Sequence, residues 1–448
     1  MMSVASSPLV TDEETVHSLS NDHTATAPIA SPSAKGGPAS TKTDRLDLPK
    51  LTFHNAPLLA VLPQTVDTAE GAGIHNPHGT MRFALAEHGF LGDSLFLQQA
   101  DGTSVLAATR PLNFPNRLQL TYGQINWLAG DFYGTTNPIS SGALEPNGTP
   151  SSDQLQRFQA AFDTLAKKSS SKAEAEALIK SARTEIDAVN QALKDHQDPS
   201  LAYSKLSSIG QTIEFKGDMI NRPHGESYID LAKINFDHFG ADARAAYNAG
   251  HTAALEAAAR GSNPEDLEKA YTLNAFADHF LEDSFSSGHM RTPRRILHGA
   301  LGFADACSKY MHDEDCALGL QVVNPRGESW MAFGDGRLSD KADEDNKARC
   351  LSALRASVAE VFTAWRTKKL PDMPYAAWQE APTLESARAE TQALAPLFTM
   401  DGEVREVIKD RTVWKHQNKP LGELEVAWYT KIAAECHGSG LWKHPMSL

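Results

Sequence analysis

The sequence predicts a mainly α-helical protein, on three observations. Residues 241–260 are very rich in Ala, the strongest helix former, and stop at Gly261. Next, Ser262 or Asn263 offers a cap, Pro264 suits the first helical position, and Glu265 and Asp266 favour the positive end of a helix running to Asp283. Residues 340–370 then place Leu351, Leu354, Val358, Val361 and Phe362 on one side of a further helix.

The bounds are those of a large globular chain. It has 448 residues, 41% hydrophobic and 22% charged, enough for one large core or two domains. A formal net charge of −14 opposes affinity built on phosphate neutralisation, so nucleic acid is the less favoured partner. The sequence has no apolar run of about 18 residues, and hence no transmembrane helix. It also lacks a basic-then-apolar leader, so the expectation is export by another route or a cytoplasmic location. Of the four cysteines, Cys307 and Cys316 are spaced to bridge in an exported protein, while reduced buried thiols fit equally.

Taken in order, residues 1–47 are rich in Ser, Thr, Ala, Pro and acids, and bury too little to offset chain entropy. The folded part is expected from 48 to 340, followed by a smaller C-terminal module, 341–448, with Trp378, Trp414, Trp428 and Trp442. Residues 73–85 bring His75 and His78 to a helix that ends near Gly89. The apolar run Leu118–Ala129 leads into Gly130-Asp131-Phe132-Tyr133-Gly134, where a carboxylate beside glycine can approach an ion closely, or simply turn the chain. Residues 153–197 read as an inserted αα-hairpin broken at Ser169-Ser170-Ser171, with Leu155, Phe158, Phe162 and Leu165 as its stripe. Tyr228–Asn235 is helical, and His238 precedes the Ala-rich helix, in which His251 reads as packing. Residues 317–337 read as short strands or loop around Trp330 and Gly334-Asp335-Gly336.

His279 and Asp283, four residues apart, project from one helix face roughly 6 Å from each other. His289 follows where the chain can turn back, giving the imidazoles and carboxylate that a borderline cation such as zinc binds. Spacing alone also suits a salt-bridged helix face. Beyond it, Arg291, Arg294 and Arg295 form a basic cluster, and Tyr310-Met-His312-Asp-Glu-Asp315-Cys316 is the densest run of ligand types.

The segment His279-Phe-Leu-Glu-Asp283-Ser-Phe-Ser-Ser-Gly-His289 resembles the signature of the zinc-dependent phospholipase C and S1/P1 nuclease superfamily, His-x-x-x-Asp-x-x-x-x-x-His. Glu282 and Ser287 replace that family's usual Gly and Pro, and no Trp precedes Trp127 to match its N-terminal ligand. The resemblance implies a helical bundle of the phospholipase C/P1 nuclease type holding two or three zinc ions. Asp131, His238 and His279 would hold one, with Asp131 also the candidate general base. Asp283 would bridge ions, with His78 (or His75) beside it. His289 and His312, ranked above His298, would hold another with Asp315, Glu314 or the Cys316 thiolate, because Cys316 stands where the family has a carboxylate.

The run 310–316 with Trp330 and Gly334-Asp335-Gly336 is similar to a group of phospholipases C from environmental and pathogenic bacteria. That implies a phospholipid substrate, phosphatidylcholine or a relative, cleaved at a membrane surface to diacylglycerol and a phosphorylated headgroup. Phe132, Tyr133 and Phe285 would border the headgroup, and Arg294 with its neighbours would receive the phosphate. The alternatives are a single-strand nuclease of the same superfamily and a non-catalytic, zinc-stabilised lipid-interaction or toxin component.

Overall fold

The computed structural model describes residues 83–142, 148–195, 228–298, 304–338, 340–405, 411–415, 418–420 and 434, all within the unit Val66–Leu448. The expectations for 1–47, for His75 and His78, and for Trp428 and Trp442 lie outside the described residues. The fold is mainly α, as expected, and every sheet among the described residues is a two-stranded antiparallel pair. No described helix is long and apolar enough to cross a membrane.

The helices in chain order are α1 (Phe83–Asp93), α2 (Tyr122–Leu128), α3 (Ser152–Ala166), α4 (Ser169–Lys194), α5 (Tyr228–Lys233), α6 (Gly240–Arg260) and α7 (Pro264–Asp283). They continue with α8 (Ser287–Arg291), α9 (Arg294–His298), α10 (Ala304–Leu318), α11 (Glu344–Thr367) and α12 (Leu384–Arg388). Everything is built on α7. Asn263 caps it through a reciprocal bond with Asp266, Pro264 opens it, and every residue from Ala270 to Asp283 is buried. A helix buried all round is a central one, and α2, α6 and α11 pack against it. The Ala-rich α6 ends at Gly261 as its sequence predicts.

Two expected boundaries move. Helix α1 does not end near Gly89 but continues to Asp93, because Gly89 and Gly92 are contact points against α2. A Cβ at Gly123 would stand 2.0 Å from the Gly89 carbonyl oxygen, so the two backbones touch. Nor does packing divide near 340. Cys350, Ala353, Leu354, Val358 and Val361 of α11 belong to the same core as Phe276 and Phe280 of α7, so this helix is part of the main body rather than of a separate module. The indoles of Trp378 and Trp414 donate to Asn248 (2.8 Å) and to the Gln392 carbonyl (3.0 Å), tying later segments to the fold.

The hairpin expected over 153–197 is the pair α3 and α4, with the break at 167–168 and the serines opening the second helix. Its first member packs on α6, with Phe158, Phe162 and Leu165 in the core. Strands β1 (Phe96–Gln98) with β2 (Ser104–Leu106), and β3 (Leu112–Asn113) with β4 (Gln119–Leu120), fill the stretch between α1 and α2. The region 317–337 forms a hairpin of β5 (Leu320–Val323) and β6 (Ser329–Ala332), in register from Leu320 opposite Ala332 to Val323 opposite Ser329. Cys307, Cys316 and Cys350 are buried free thiols, so Cys307 and Cys316 form no bridge.

Candidate metal centre

The last turn of α7 puts His279 and Asp283 at the middle of a buried cluster to which six other segments contribute. Helix α1 supplies His88, the turn after α2 Asp131, the 3-10 turn Phe236–His238 its histidine, α8 His289, α10 His312, and the loop after β6 Asp335. Four groups result: Asp131–His238–His279, His88–His279–Asp283, His238–Asp283–His289 and His289–His312–Asp335. Within each, the nitrogen and oxygen atoms that could bind an ion lie within 4.8 Å of one another. Asp283 and the histidines at 238, 279 and 289 each belong to two groups, which makes the arrangement continuous.

Four of the five imidazoles have a common polarity. Nδ1 of His279 is 2.9 Å from the Asn126 carbonyl oxygen, and Nδ1 of His289 is 2.7 Å from that of His238. Nδ1 of His312 is 2.9 Å from Asp313 Oδ1, and Nδ1 of His88 is 2.5 Å from Glu282 Oε2. Carbonyls and carboxylates only accept, so these nitrogens donate and Nε2 of each neutral ring presents a lone pair. Those lone pairs point inward. Nε2 of His88 and of His279 stand 3.6 and 3.5 Å from Asp283, and Nε2 of His289 and of His312 stand 3.3 and 3.2 Å from Asp335 Oδ2. His238 is turned the other way, with Nδ1 2.9 Å from Asp283 and 3.0 Å from His279 Nε2, and Nε2 4.0 Å from Asp131.

Acceptors converging on carboxylates in a buried space call for positive charge between them, as protons or as a cation. Burial opposes charge on these rings, yet Asp283 and Asp131 raise His238, Cys316 with Asp335 and Asp313 raises His312, and Glu282 with Asp283 pushes His88 up to about 10. Burial dominates at His279 and holds it well below the usual imidazole range. Burial would raise Asp283, but His289, His279 and His238 keep it below the ordinary carboxylate range; Asp335 is held low by His289 and His312 in the same way. Burial, joined by the Asp283 charge, raises Asp131 despite His238. The backbone leaves room at this point. Gly130 has φ +70°, and a Cβ there would lie 2.7 Å from His238 Cε1 and 2.9 Å from His279 Nε2.

Of the expected ligands, Asp131, His238, His279, Asp283, His289 and His312 come together, and His298 instead lies against the Phe236 ring. Asp315 does not join them. It takes two 2.7 Å bonds from the buried Arg291 guanidinium, a forked pairing that uses both its oxygens. Glu314 pairs with Arg411 and Asp313 with Lys309, so that acidic run is largely matched to cations. The carboxylate facing His289 and His312 is Asp335. Cys316 packs its sulfur 3.6 Å from His312 Nε2, and burial pushes its thiol up.

The expected substrate residues are occupied elsewhere. Phe132 is buried against Trp127, and the Tyr133 hydroxyl lies 3.2 Å from the Ser171 carbonyl and the Glu174 carboxylate. Arg294 donates to Asn235 and to the carbonyls of Ala232 and Lys233 at the end of α5, Arg291 to Asp315, and Arg295 to Asp242. Phe285 is buried and lines a small pocket shared with His88, Glu282, Asp283 and Asp335.

Sequence reasoning missed His88, Asp335 and the residues that orient them. Asp335 carried the signal that singles out Asp131, an acid flanked by glycine after an apolar run. His88 carried none, since its role comes from the contact of α1 with α2 and from Glu282. That glutamate, where the resembled signature has Gly, accepts from both His88 and Asn126 Nδ2 (2.5 Å), and the same Asn126 receives His279 through its carbonyl. Comparison with known proteins supplies no relative to set beside this geometry: no family model, curated protein or solved structure matches the chain.

Proposed function

We propose that the chain is a zinc-dependent phosphodiester hydrolase, a phospholipase C acting on glycerophospholipids. The observation that carries the reading is the shared polarity of His88, His279, His289 and His312. Each is tied outward through Nδ1 to a carbonyl or carboxylate and aims Nε2 at Asp283 or Asp335, the orientation that outer partners impose on metal-binding imidazoles. Nitrogen and carboxylate donors suit zinc. The residues that would hold two or three ions are Asp131, His238 and His279; His88 and Asp283; and His289, His312 and Asp335.

Bound zinc supplies activated water and polarised phosphoryl oxygens. The chain's own part is orientation and proton handling. Glu282 and Asn126 fix His88 and His279 from behind, and Asp283 links neighbouring groups. Asp131, Asp335 and His312 retain 12%, 22% and 15% side-chain exposure, against 2% for Asp283, so solvent meets the cluster on their side. Asp131 is the proposed proton acceptor there, its carboxyl raised above the ordinary carboxylate range by burial. The phospholipid assignment rests on the resemblance of 310–316 and 330–336 to bacterial phospholipases C and on the net charge of −14.

The test is metal analysis of the purified protein combined with phosphocholine release from phosphatidylcholine vesicles. Expected are two or three zinc ions per chain and release that disappears on chelation and returns with zinc. Undiminished release after exhaustive chelation would overturn the metal assignment. Cleavage of single-stranded DNA without lipid turnover would move the substrate to nucleic acid.

A further inference from the structure

We infer that Glu87 is a positioning residue that sets Asp335, so that the group His289–His312–Asp335 depends on the helix that carries His88. The inference rests on the metal-binding reading above. Asp335 has no helix to place it. It sits between Gly334 and Gly336 in the loop after β6, and its neighbours must be held from outside. Both oxygens of the buried Glu87 do this: Oε2 accepts from the Gly336 amide at 2.8 Å and Oε1 from the Leu338 amide at 2.9 Å. The Ser286 hydroxyl holds the Asp335 carboxylate itself at 2.6 Å, leaving the other oxygen to His289 and His312.

The same loop explains why α10 has a small thiol where a carboxylate is expected. The Gly334 amide bonds the Cys316 carbonyl at 3.1 Å, and a Cβ on Gly334 would fall 2.4 Å from Cys316 Sγ. A longer acid at 316 would push the loop away. The carboxylate therefore comes from the loop, α10 provides the space, and Glu87 bears on the loop from α1. Because Glu87 adjoins His88, one helix contributes an imidazole to one group and the latch to another. A glutamine at 87 has one acceptor for two amide donors, with its own NH2 facing the second.

The experiment measures zinc stoichiometry and affinity by chelator competition for the wild type, E87Q, E87A, D335N and the E87A/D335N pair, with circular dichroism to check folding. D335N is expected to weaken one ion strongly, and E87Q to keep the fold while weakening that same ion about tenfold, as loss of an outer partner does. The double variant is expected to bind no worse than D335N alone, because both changes act through one carboxylate. Wild-type affinity in E87Q and E87A, additive losses in the pair, or collapse of the fold in both Glu87 variants would each overturn the assignment. A wild-type chain that takes up no zinc would overturn the proposed function and this inference together. Zinc uptake with an indifferent Glu87 overturns only the latter.

Discussion

Glu282 and His88 are joined by a 2.5 Å hydrogen bond across 194 positions of sequence, both side chains buried. The bond sets which face of the imidazole is presented to Asp283, and Asn126 braces the glutamate from its other oxygen. The glutamate that precedes Asp283 thus supports a histidine brought in by α1.

Replacing Glu282 by Ala removes that support and leaves buried donors on His88 and Asn126 unmatched. Zinc affinity is expected to fall by roughly 10- to 100-fold at the His88 group. Titration against a chromophoric chelator reads this directly, and an unchanged binding curve would count against the orienting role.

Asp283→Ala is expected to release more metal than His88→Ala. Asp283 belongs to two groups, His88–His279–Asp283 and His238–Asp283–His289, whereas His88 belongs to one. Elemental analysis of the two purified variants decides between this and a site in which all ligands are equivalent.

Asp315 and Asp335 separate structure from binding. Asp315→Ala strands the buried Arg291 guanidinium, a change that costs on the order of 3–5 kcal/mol and lowers the thermal midpoint. Asp335→Asn is expected to lower zinc content with a much smaller effect on the midpoint of the metal-free chain. Differential scanning calorimetry beside metal analysis tests both, and the reverse pattern would restore Asp315 as ligand.

A pH dependence follows from Asp278. Burial pushes its carboxyl up from 3.8 to about 7, against the hydroxyls of Tyr122 and Ser357 that donate to it. Between about pH 4 and 7 the native state keeps this proton while the unfolded chain releases it. Its contribution is therefore complete below the unfolded pKa and is lost as pH rises through the folded one, on the order of 4 kcal/mol across the window. Asp343, raised to about 7 mainly by burial, acts in the same sense. Urea midpoints measured between pH 4 and 8 are expected to fall less steeply in Asp278→Asn than in the wild type.

Much of the fold was legible because helix signals are local. The cap and proline before α7, the alanines of α6 and the stripe of α11 need only neighbours within a few residues. Six of the eight expected metal ligands meet for a related reason. Most carry a short-range mark, His279, Asp283 and His289 by spacing and Asp131 by its glycine, which the resemblance turned into an expectation of metal binding. The resemblance supplied His238 and His312.

What the chain could not disclose locally is which charges would be used up by other charges. Asp315, Arg291 and Arg294 have the composition of a site and are consumed in pairs and helix ends, while Asp335 and His88 are brought in by a hairpin loop and a glycine-lined helix contact. Composition and periodicity therefore determined on their own that the protein is helical and that α7 carries His279 and Asp283 on one face, while the resemblance made that pair the centre of the expected site. Only the tertiary structure decided the membership of the cluster, because burying a charge compels it to find a partner and that partner is chosen by packing in space.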